Sequence, residues 1–377
     1  MFSRAIFQIK MSNIKFLYSL FFLILFFSIG ACSENKNSTL KQDKNICKYS
    51  KWLQIIEKEN SVIIKITNPN YTEQVMTFSS GIATEKVKVS PINYLSLPCN
   101  KIASLASTHI GMLSVLNCEN SICAVSDEKF VYNEELNRGI LAGNILSLGD
   151  AQEISIERLV NSGAKIVVHS AFSGPFPKSE QLKKIGITCI PNYDWREENP
   201  LGKAEWILLF GYLTGKQELA KKIFSEIVES YNQTRKKVKN NSNMKVICGN
   251  FFRDFWYAPA GESYNGQLIK DAGMNYIYRN TKGTGSISIS MEKILMETKD
   301  INLWLNPGFS SKSAILKSNP KAKNLACFKN AKIYCYSHNL NRFWELSAVQ
   351  PHLILEDFYS ITNLDSPSKL HFYKQLK

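Results

Sequence analysis

The chain lacks the compact signatures of a catalytic or metal centre. No Gly-x-Ser-x-Gly elbow exposes a nucleophilic serine, and no His-Glu-x-x-His pattern builds a zinc helix. Histidine is scarce, with five in 377 residues at positions 109, 169, 338, 352 and 371, and no two are spaced i, i+4. That excludes capture of a bare Zn²⁺ or Mn²⁺ by a histidine cluster. None of the nine cysteines falls into the paired C-x-x-C spacing of a zinc site. Gly211 to Lys216 approaches a phosphate loop but has one spacer too few and no following Ser or Thr, so it reads as a helix break. With no nucleophile beside a base, an enzyme is not expected, nor a resident metal or cofactor.

Long apolar runs are also missing. The longest, Phe16 to Phe27, is too short to cross a hydrocarbon core as a helix, which takes about 20 residues. Preceded by Arg4, Lys10 and Lys15, it has the form of a signal peptide over residues 1–31. Starting at Met11 would leave that form intact. Ile29-Gly30-Ala31-Cys32 then matches a bacterial lipobox, making Cys32 the expected lipidation site. Two or three acyl chains give stable anchoring where one does not. Residues 32–46, rich in Asn, Lys, Ser and Glu, bury nothing and form a flexible tether.

Acids are outnumbered, 32 to 46, for a net charge of +14. A basic surface suits an anionic ligand, anionic lipid or nucleic acid, or is simply a lysine-rich solvated face. Export argues against nucleic acid. Beyond Cys32 the eight cysteines enter an oxidising compartment, where the local pairs Cys118/Cys123 and Cys327/Cys335 are candidates for disulfides and scattered buried thiols are the alternative.

A short pattern occurs twice, 135 residues apart. Ser155-Ile156-Glu157-Arg158-Leu159-Val160 runs into Ile166-Val167-Val168, and Ser290-Met291-Glu292-Lys293-Ile294-Leu295 runs into Ile301-Asn302-Leu303. Each reads as an N-cap serine, a first-turn glutamate, an apolar helix face and a buried strand. Val62 to Thr67 and Gln74 to Ser79 alternate around Asn68-Pro69-Asn70 as a hairpin. A strand over Ile102 to His109 is expected to lead, through a polar turn, into an apolar helix from Met112 to Leu116. Ile122 to Val125 and Ile166 to Ser170 read as strands, with helices over Glu157 to Ser162 and Ser179 to Lys184. Such alternation marks a mainly parallel sheet covered by helices. Residues 200–214 and 216–239 are helical, and a second alternating region starts at Lys245. The expected organisation is therefore an α/β lobe over 47–194, a stiff helical bridge over 195–243 and a second α/β lobe over 244–377.

Four motifs carry a family resemblance: Glu197-x-x-Pro200-Leu201-Gly202-x-Ala204-Glu205-Trp206-Ile207, Trp256-x-x-Pro259-x-Gly261-x-Ser263-Tyr264, Asp271-Ala272-Gly273 and Phe343-Trp344-Glu345. Together they resemble the periplasmic solute-binding lipoproteins of ABC importers for iron chelates, haem and cobalamin, in the long form of Bacteroidetes-type bacteria. The resemblance spans roughly residues 47–365. It implies two Rossmann-like lobes bridged by a long helical segment, with the ligand in the cleft between them. It also implies that Glu157 and Glu292 dock on arginines of the two permease subunits, a bidentate and directional contact. A first-turn glutamate otherwise only complements the helix dipole.

Candidate ligand contacts are Ser107, Thr108, His109, Phe172, Ser173, Trp195 and Arg196 on the first lobe and bridge, with Arg253, Trp256, Tyr257 and Trp344 from the second. Arginine with aromatics suits a large, flat or anionic chelate. Trp206 and Trp304 sit within apolar runs and are expected in the core. The implied protein is a monomer in the periplasm, anchored to the inner membrane or else to the outer membrane or cell surface. Its implied partners are a permease dimer with its ATPase and a chelate cargo: siderophore, haem or cobalamin. A surface lipoprotein that captures its ligand without a permease is the alternative.

Overall fold

The computed structural model describes residues 44–81, 92–151, 153–172, 174–238, 241–337, 341–363 and 369–377. The signal peptide, Cys32 and most of the tether lie outside the described residues.

The chain enters through a sheet of its own. Strands β1 (Leu53–Lys58), β2 (Ser61–Asn68) and β3 (Tyr71–Gly81) are antiparallel neighbours, and β4 (Ile92–Tyr94) adds parallel to β3. The alternating residues around Asn68 to Asn70 form the expected hairpin, in which Asn68 Oδ1 accepts the Asn70 N–H at 3.0 Å.

The first lobe follows. Strands β5 (Ile102–Ser104), β6 (Ile122–Val125), β7 (Leu146–Ser147), β8 (Ile166–Ser170) and β9 (Thr188–Asn192) form an all-parallel sheet in the order β7-β6-β5-β8-β9. The order reverses between β5 and β8, as in a doubly wound sheet. In the second lobe, β10 (Asn241–Cys248), β13 (Met274–Tyr276), β15 (Leu303–Leu305) and β16 (Lys332–Tyr336) are parallel, and β17 (Tyr373–Gln375) closes the edge antiparallel. Here the order is β13-β10-β15-β16-β17, with its reversal between β10 and β15. A small antiparallel sheet, β11 (Asn250–Phe252), β12 (Phe255–Pro259) and β14 (Ser286–Ser290), leaves this lobe from the end of β10. The architecture is α/β, with two Rossmann-like lobes.

Between the lobes run the helices Pro200–Glu205, Ile207–Thr214 and Gln217–Lys237. The first two, expected as one helix, are divided at Trp206, whose carbonyl accepts the Leu209 N–H in a tightened turn. Trp206 is fully buried, as is Trp304. Another boundary also differs from expectation. The strand from Ile102 stops at Ser104, and a helix spans Ser107–Val115, so Ser107, Thr108 and His109 form its first turn. Its first three residues are all polar and follow an apolar strand, so they read as a turn instead of as the opening of an enclosed helix.

The eight cysteines from Cys47 to Cys335 are free and buried, so neither Cys118/Cys123 nor Cys327/Cys335 is bonded. Burial pushes the thiols of Cys189, Cys248 and Cys327 up to about 12.

Buried carboxylates join remote segments. Glu205 accepts the N–H groups of Lys48, Tyr49 and Ser50 at 2.7, 2.8 and 2.6 Å, and Glu197 accepts Lys51 N–H, Ser50 Oγ–H and Trp206 Nε1–H. Gly202 makes the crossing possible, since a Cβ there would stand 2.8 Å from the Tyr49 carbonyl oxygen. Asp357 takes the N–H groups of His371, Phe372 and Tyr373, which fixes β17.

The lobes themselves are joined by Glu345, which is fully buried. Its Oε1 accepts Tyr132 N–H at 2.6 Å and Asn133 N–H at 3.0 Å, and its Oε2 accepts Arg342 Nε–H at 2.6 Å. Arg342 also donates to Ser114 Oγ at 3.0 Å, and a Cβ on Gly111 would overlap the Glu345 carbonyl oxygen. Glu345→Ala strands two backbone donors and a guanidinium, and is expected to lower the unfolding free energy by about 3 kcal/mol. Glu345→Gln, which keeps one acceptor oxygen, should recover part of that loss. Urea unfolding at neutral pH measures both, and a loss under about 0.5 kcal/mol for the alanine variant would contradict the assignment.

Candidate functional site

In open α/β sheets, ligands occupy the crevice outside the carboxyl ends of the strands where the strand order reverses. In the first lobe that point lies beyond Ser104 at the end of β5 and beyond Ser170 at the end of β8. In the second lobe it lies beyond Cys248 and Leu305, where Gly249 N–H donates to the Leu305 carbonyl at 3.0 Å.

From the first lobe, Ser107 and Thr108 open the helix after β5 and are half-buried. Ser107 Oγ–H donates to the Phe130 carbonyl at 2.9 Å. Phe172 follows β8, is 57% exposed and packs on Trp195 with centroids 4.6 Å apart. Ser173 lies outside the described residues. Trp195 and Arg196 are half-buried in the one-turn helix Asp194–Arg196 after β9, with the guanidinium 5.4 Å from the indole centroid.

From the second lobe, Arg253 occupies the turn between β11 and β12 with φ 56 and lies 5.4 Å from the Phe252 ring. Tyr257 is partly exposed and pairs with Asn250 across the hairpin. Trp344 is 44% exposed, edge-on to Tyr336 at 5.7 Å.

Two of the expected contacts face away from the crevice. His109 is fully buried with its ring against Phe210 at 5.6 Å, so it belongs to the lobe core. Trp256 is also fully buried, donating Nε1–H to the Cys248 carbonyl and packing on Phe251 and Trp304. The strand pleat that exposes Tyr257 turns Trp256 inward.

The structure adds residues that the sequence did not single out. Asp194 is almost wholly buried; burial raises its carboxyl above the usual range, while the Lys203 charge and the Thr108 hydroxyl oppose the rise. Lys203 sits 4.8 Å over the Tyr264 ring, and Tyr264 O–H donates to the Ser347 carbonyl at 2.8 Å. The bridge, first lobe and second lobe therefore meet around Asp194. Buried atoms without partners concentrate here: Ser104 Oγ, Asn192 Nδ2, Asp194 Oδ2, Trp195 Nε1 and Arg196 Nε, with Asn306 Oδ1 just past β15. Asn192 and Asp194 could have been flagged as polar residues directly following an apolar strand. A hollow of about 540 Å³ beside Lys299, Asp300 and Asn302 lies at the amino ends of the second-lobe strands, away from this junction.

The twin glutamates stand at equivalent places. Ser155 Oγ accepts Arg158 N–H at 3.2 Å ahead of the helix Ile156–Asn161, and Ser290 Oγ accepts Lys293 N–H at 3.4 Å ahead of the helix Met291–Glu297. Glu157 and Glu292 are exposed in the first turns. Each helix directly precedes the strand at its lobe's reversal point, β8 or β15. A helix feeding a parallel strand runs opposite to it, so its N-terminus lies at the carboxyl edge. Backbone N–H and the Ser290 hydroxyl hold the Glu292 carboxyl below its usual range.

Two doubly wound lobes, joined by helices and facing each other across the carboxyl ends of their strands, define a two-lobed solute-binding protein. The chain belongs to the periplasmic binding protein family, whose sequence profile matches residues 102–340. An uncharacterized lipoprotein of Methanocaldococcus jannaschii is 22% identical over 74% of this chain and 69% of its own length, and a second is 23% identical over 62% of each. Among solved structures, the periplasmic haem-binding protein of Vibrio cholerae aligns with TM-score 0.54 and 19% identity, over 69% of this chain and 98% of that one. The periplasmic vitamin B12-binding protein of the same organism gives 0.52 and 13%, over 72% and 99%. The petrobactin-binding protein of Bacillus subtilis gives 0.53 and 16%, over 79% and 98%. These likenesses are of fold. No helix among the described residues is long and apolar enough to cross a membrane.

Burial pushes the His109 imidazole down to about 3, and likewise His169 to about 3 and His352 to about 4. In the unfolded chain each takes a proton near pH 6.5. Between those limits the unfolded state binds more protons, so stability is complete above pH 6.5 and drains as pH falls toward 3. The expected slope approaches about 1.4 kcal/mol per pH unit for each histidine. His109→Leu should flatten it by one proton's worth, measured by denaturant unfolding from pH 7 to 4. An unchanged slope would show that His109 already carries a proton in the fold.

Proposed function

We propose that the protein is the lipid-anchored solute-binding component of an ABC importer, taking an iron chelate (siderophore or haem) or cobalamin and delivering it to a permease dimer with its ATPase. In this reading residues 47–194 and 244–377 are the binding lobes and 195–243 the bridge. Cys32 carries the lipid and holds the monomer in the periplasm, at the inner membrane in preference to the outer membrane or cell surface.

One observation supports delivery above all: two capped helices, each ahead of the strand at its lobe's reversal point, each exposing one glutamate at the crevice edge. A two-fold permease would be met by one carboxylate from each lobe, so the protein docks in a fixed orientation with its crevice toward the pore. Membership in a solute-binding family, relatives named lipoproteins and structural neighbours named for haem, vitamin B12 and petrobactin point the same way. Within the crevice, Thr108, Phe172, Trp195, Arg196, Tyr257 and Trp344 are the proposed ligand contacts, with Ser107 and Arg253 at its margins; Ser173, outside the described residues, is retained as a candidate from its sequence alone. Arginine beside aromatic faces matches a flat or anionic chelate.

The cargo can be identified from protein purified with its native ligand, by absorbance and mass spectrometry. With that cargo, Glu157→Arg with Glu292→Arg is expected to cut cellular uptake at least tenfold while affinity of the purified protein stays within twofold. Uptake at the unsubstituted level would instead leave a surface protein that captures its ligand without a permease.

A further inference from the structure

The most unusual chemistry at the junction of the lobes lies in five consecutive residues, Asn192 to Arg196. Asn192 is completely buried at the end of β9. Its Oδ1 accepts Asp194 N–H at 2.7 Å, which fixes the amide and leaves Nδ2 with no partner. Trp195 Nε1 and Arg196 Nε are likewise buried and unpartnered. More than nine in ten buried polar groups are paired in folded proteins, and each that is not carries an uncompensated loss of hydration. Three unpaired N–H donors against one unpaired acceptor, Asp194 Oδ2, leave donors in excess within these five residues and call for an acceptor from outside them.

Among the described residues no carboxylate pairs with Arg196. The adjacent acid, Glu197, is occupied by Lys51 N–H, Ser50 Oγ–H and Trp206 Nε1–H, and Asp194 faces the Lys203 charge and the Thr108 hydroxyl. The segment's backbone is also held in place, by the Arg196 N–H to the Tyr193 carbonyl at 2.9 Å and by Trp52 Nε1–H to the Arg196 carbonyl at 3.3 Å. Beside the donors the rings of Phe172 and Trp195 make an apolar wall, with Phe172 open to solvent. Two neutral N–H groups and a guanidinium N–H match a carboxylate or phosphate oxygen cluster, and the ring wall matches an unsaturated body attached to it.

We propose that Asn192, Trp195 and Arg196 form a donor cradle for an oxyanion of the transported solute, with Phe172 and Trp195 supporting the solute's adjacent flat portion. This rests on the solute-binding reading above and narrows the cargo to molecules bearing a carboxylate or phosphate beside an apolar group.

The chain has six tryptophans, so ¹⁹F spectra of the full-length protein labelled with 5-fluorotryptophan contain few signals, and Trp195→Phe assigns the one that matters. Benzoate and phenyl phosphate are the probes, and neutral benzamide and chloride at matched ionic strength are the controls. The Trp195 signal is expected to shift saturably with benzoate or phenyl phosphate, and the stronger arm names the anion as carboxylate or phosphate. Benzamide should bind at least tenfold more weakly. Arg196→Gln should weaken the anion at least tenfold and Phe172→Ala several-fold, with the remaining tryptophan signals unmoved as evidence of an intact fold. A Trp195 signal that ignores both anions, follows chloride equally, or responds unchanged in Arg196→Gln overturns the cradle. The Glu157→Arg, Glu292→Arg protein should keep the full anion response, so failure of the delivery reading and failure of the cradle are told apart by different measurements.

Discussion

Backbone N–H groups gathered by buried carboxylates hold this molecule together. Strand ends and loop starts arrive at the bridge and at the lobe junction with donors that no sheet or helix can satisfy. A carboxylate offers about four lone-pair sites, enough for two or three such donors at once. Glu205 and Glu197 take in the segment from Lys48 to Lys51, Asp357 takes in the segment from His371 to Tyr373, and Glu345 takes Tyr132 and Asn133 from the other lobe. The partners stand from 14 to 213 residues apart in sequence. Desolvation is the largest influence on Glu197, Glu205 and Asp357 and pushes their carboxyls upward, while the N–H donors pull them back. Charge-assisted hydrogen bonds of this kind are strong enough to offset much of that cost.

The two lobes are related in chemistry more than in topology. One sheet reverses beside its central strand β5, the other beside β10, and their strand orders differ. What recurs is a unit: a serine cap, an exposed glutamate in the first turn, a short helix, and the strand next to the reversal point. Because the helix must run back along the sheet, that unit always sets its glutamate beside the crevice, whatever the order of the outer strands. The small β11-β12-β14 sheet is an embellishment of the second lobe and carries the Phe252–Tyr257 aromatic surface.

The repeated unit was legible because each of its signals is local: cap, first-turn acid, apolar spacing, then an apolar strand. The strands Ile122–Val125 and Ile166–Ser170 and the helix Ser179–Lys184 were legible for the same reason. The start of the helix at Ser107 was not, since Ser107-Thr108-His109 has the composition of a polar turn and the helix they open is enclosed beyond them. His109 could not be sorted by composition, because burial depends on Phe210, a hundred residues away. Trp256 and Tyr257 were sortable: successive strand residues point to opposite faces, so only one of them could reach the crevice. The carboxylate clips were hidden because a glutamate within a helix looks like a solvated one until the segment that crosses it is known. The motif Glu197-x-x-Pro-Leu-Gly-x-Ala-Glu205 therefore signalled kinship without revealing that its glycine and both acids serve the crossing at Tyr49.

That crossing also sets a mechanical path. A pull on the chain ahead of Lys48 meets four consecutive N–H groups seated on Glu205 and Glu197, which share the load in parallel instead of releasing one by one. The force passes into the helix Pro200–Glu205 and the spine between the lobes. The contacts of Asn45 and Ile46 with Ile55 of β1 meet the pull first, and the four-donor clip behind them keeps the tension off the walls of the crevice.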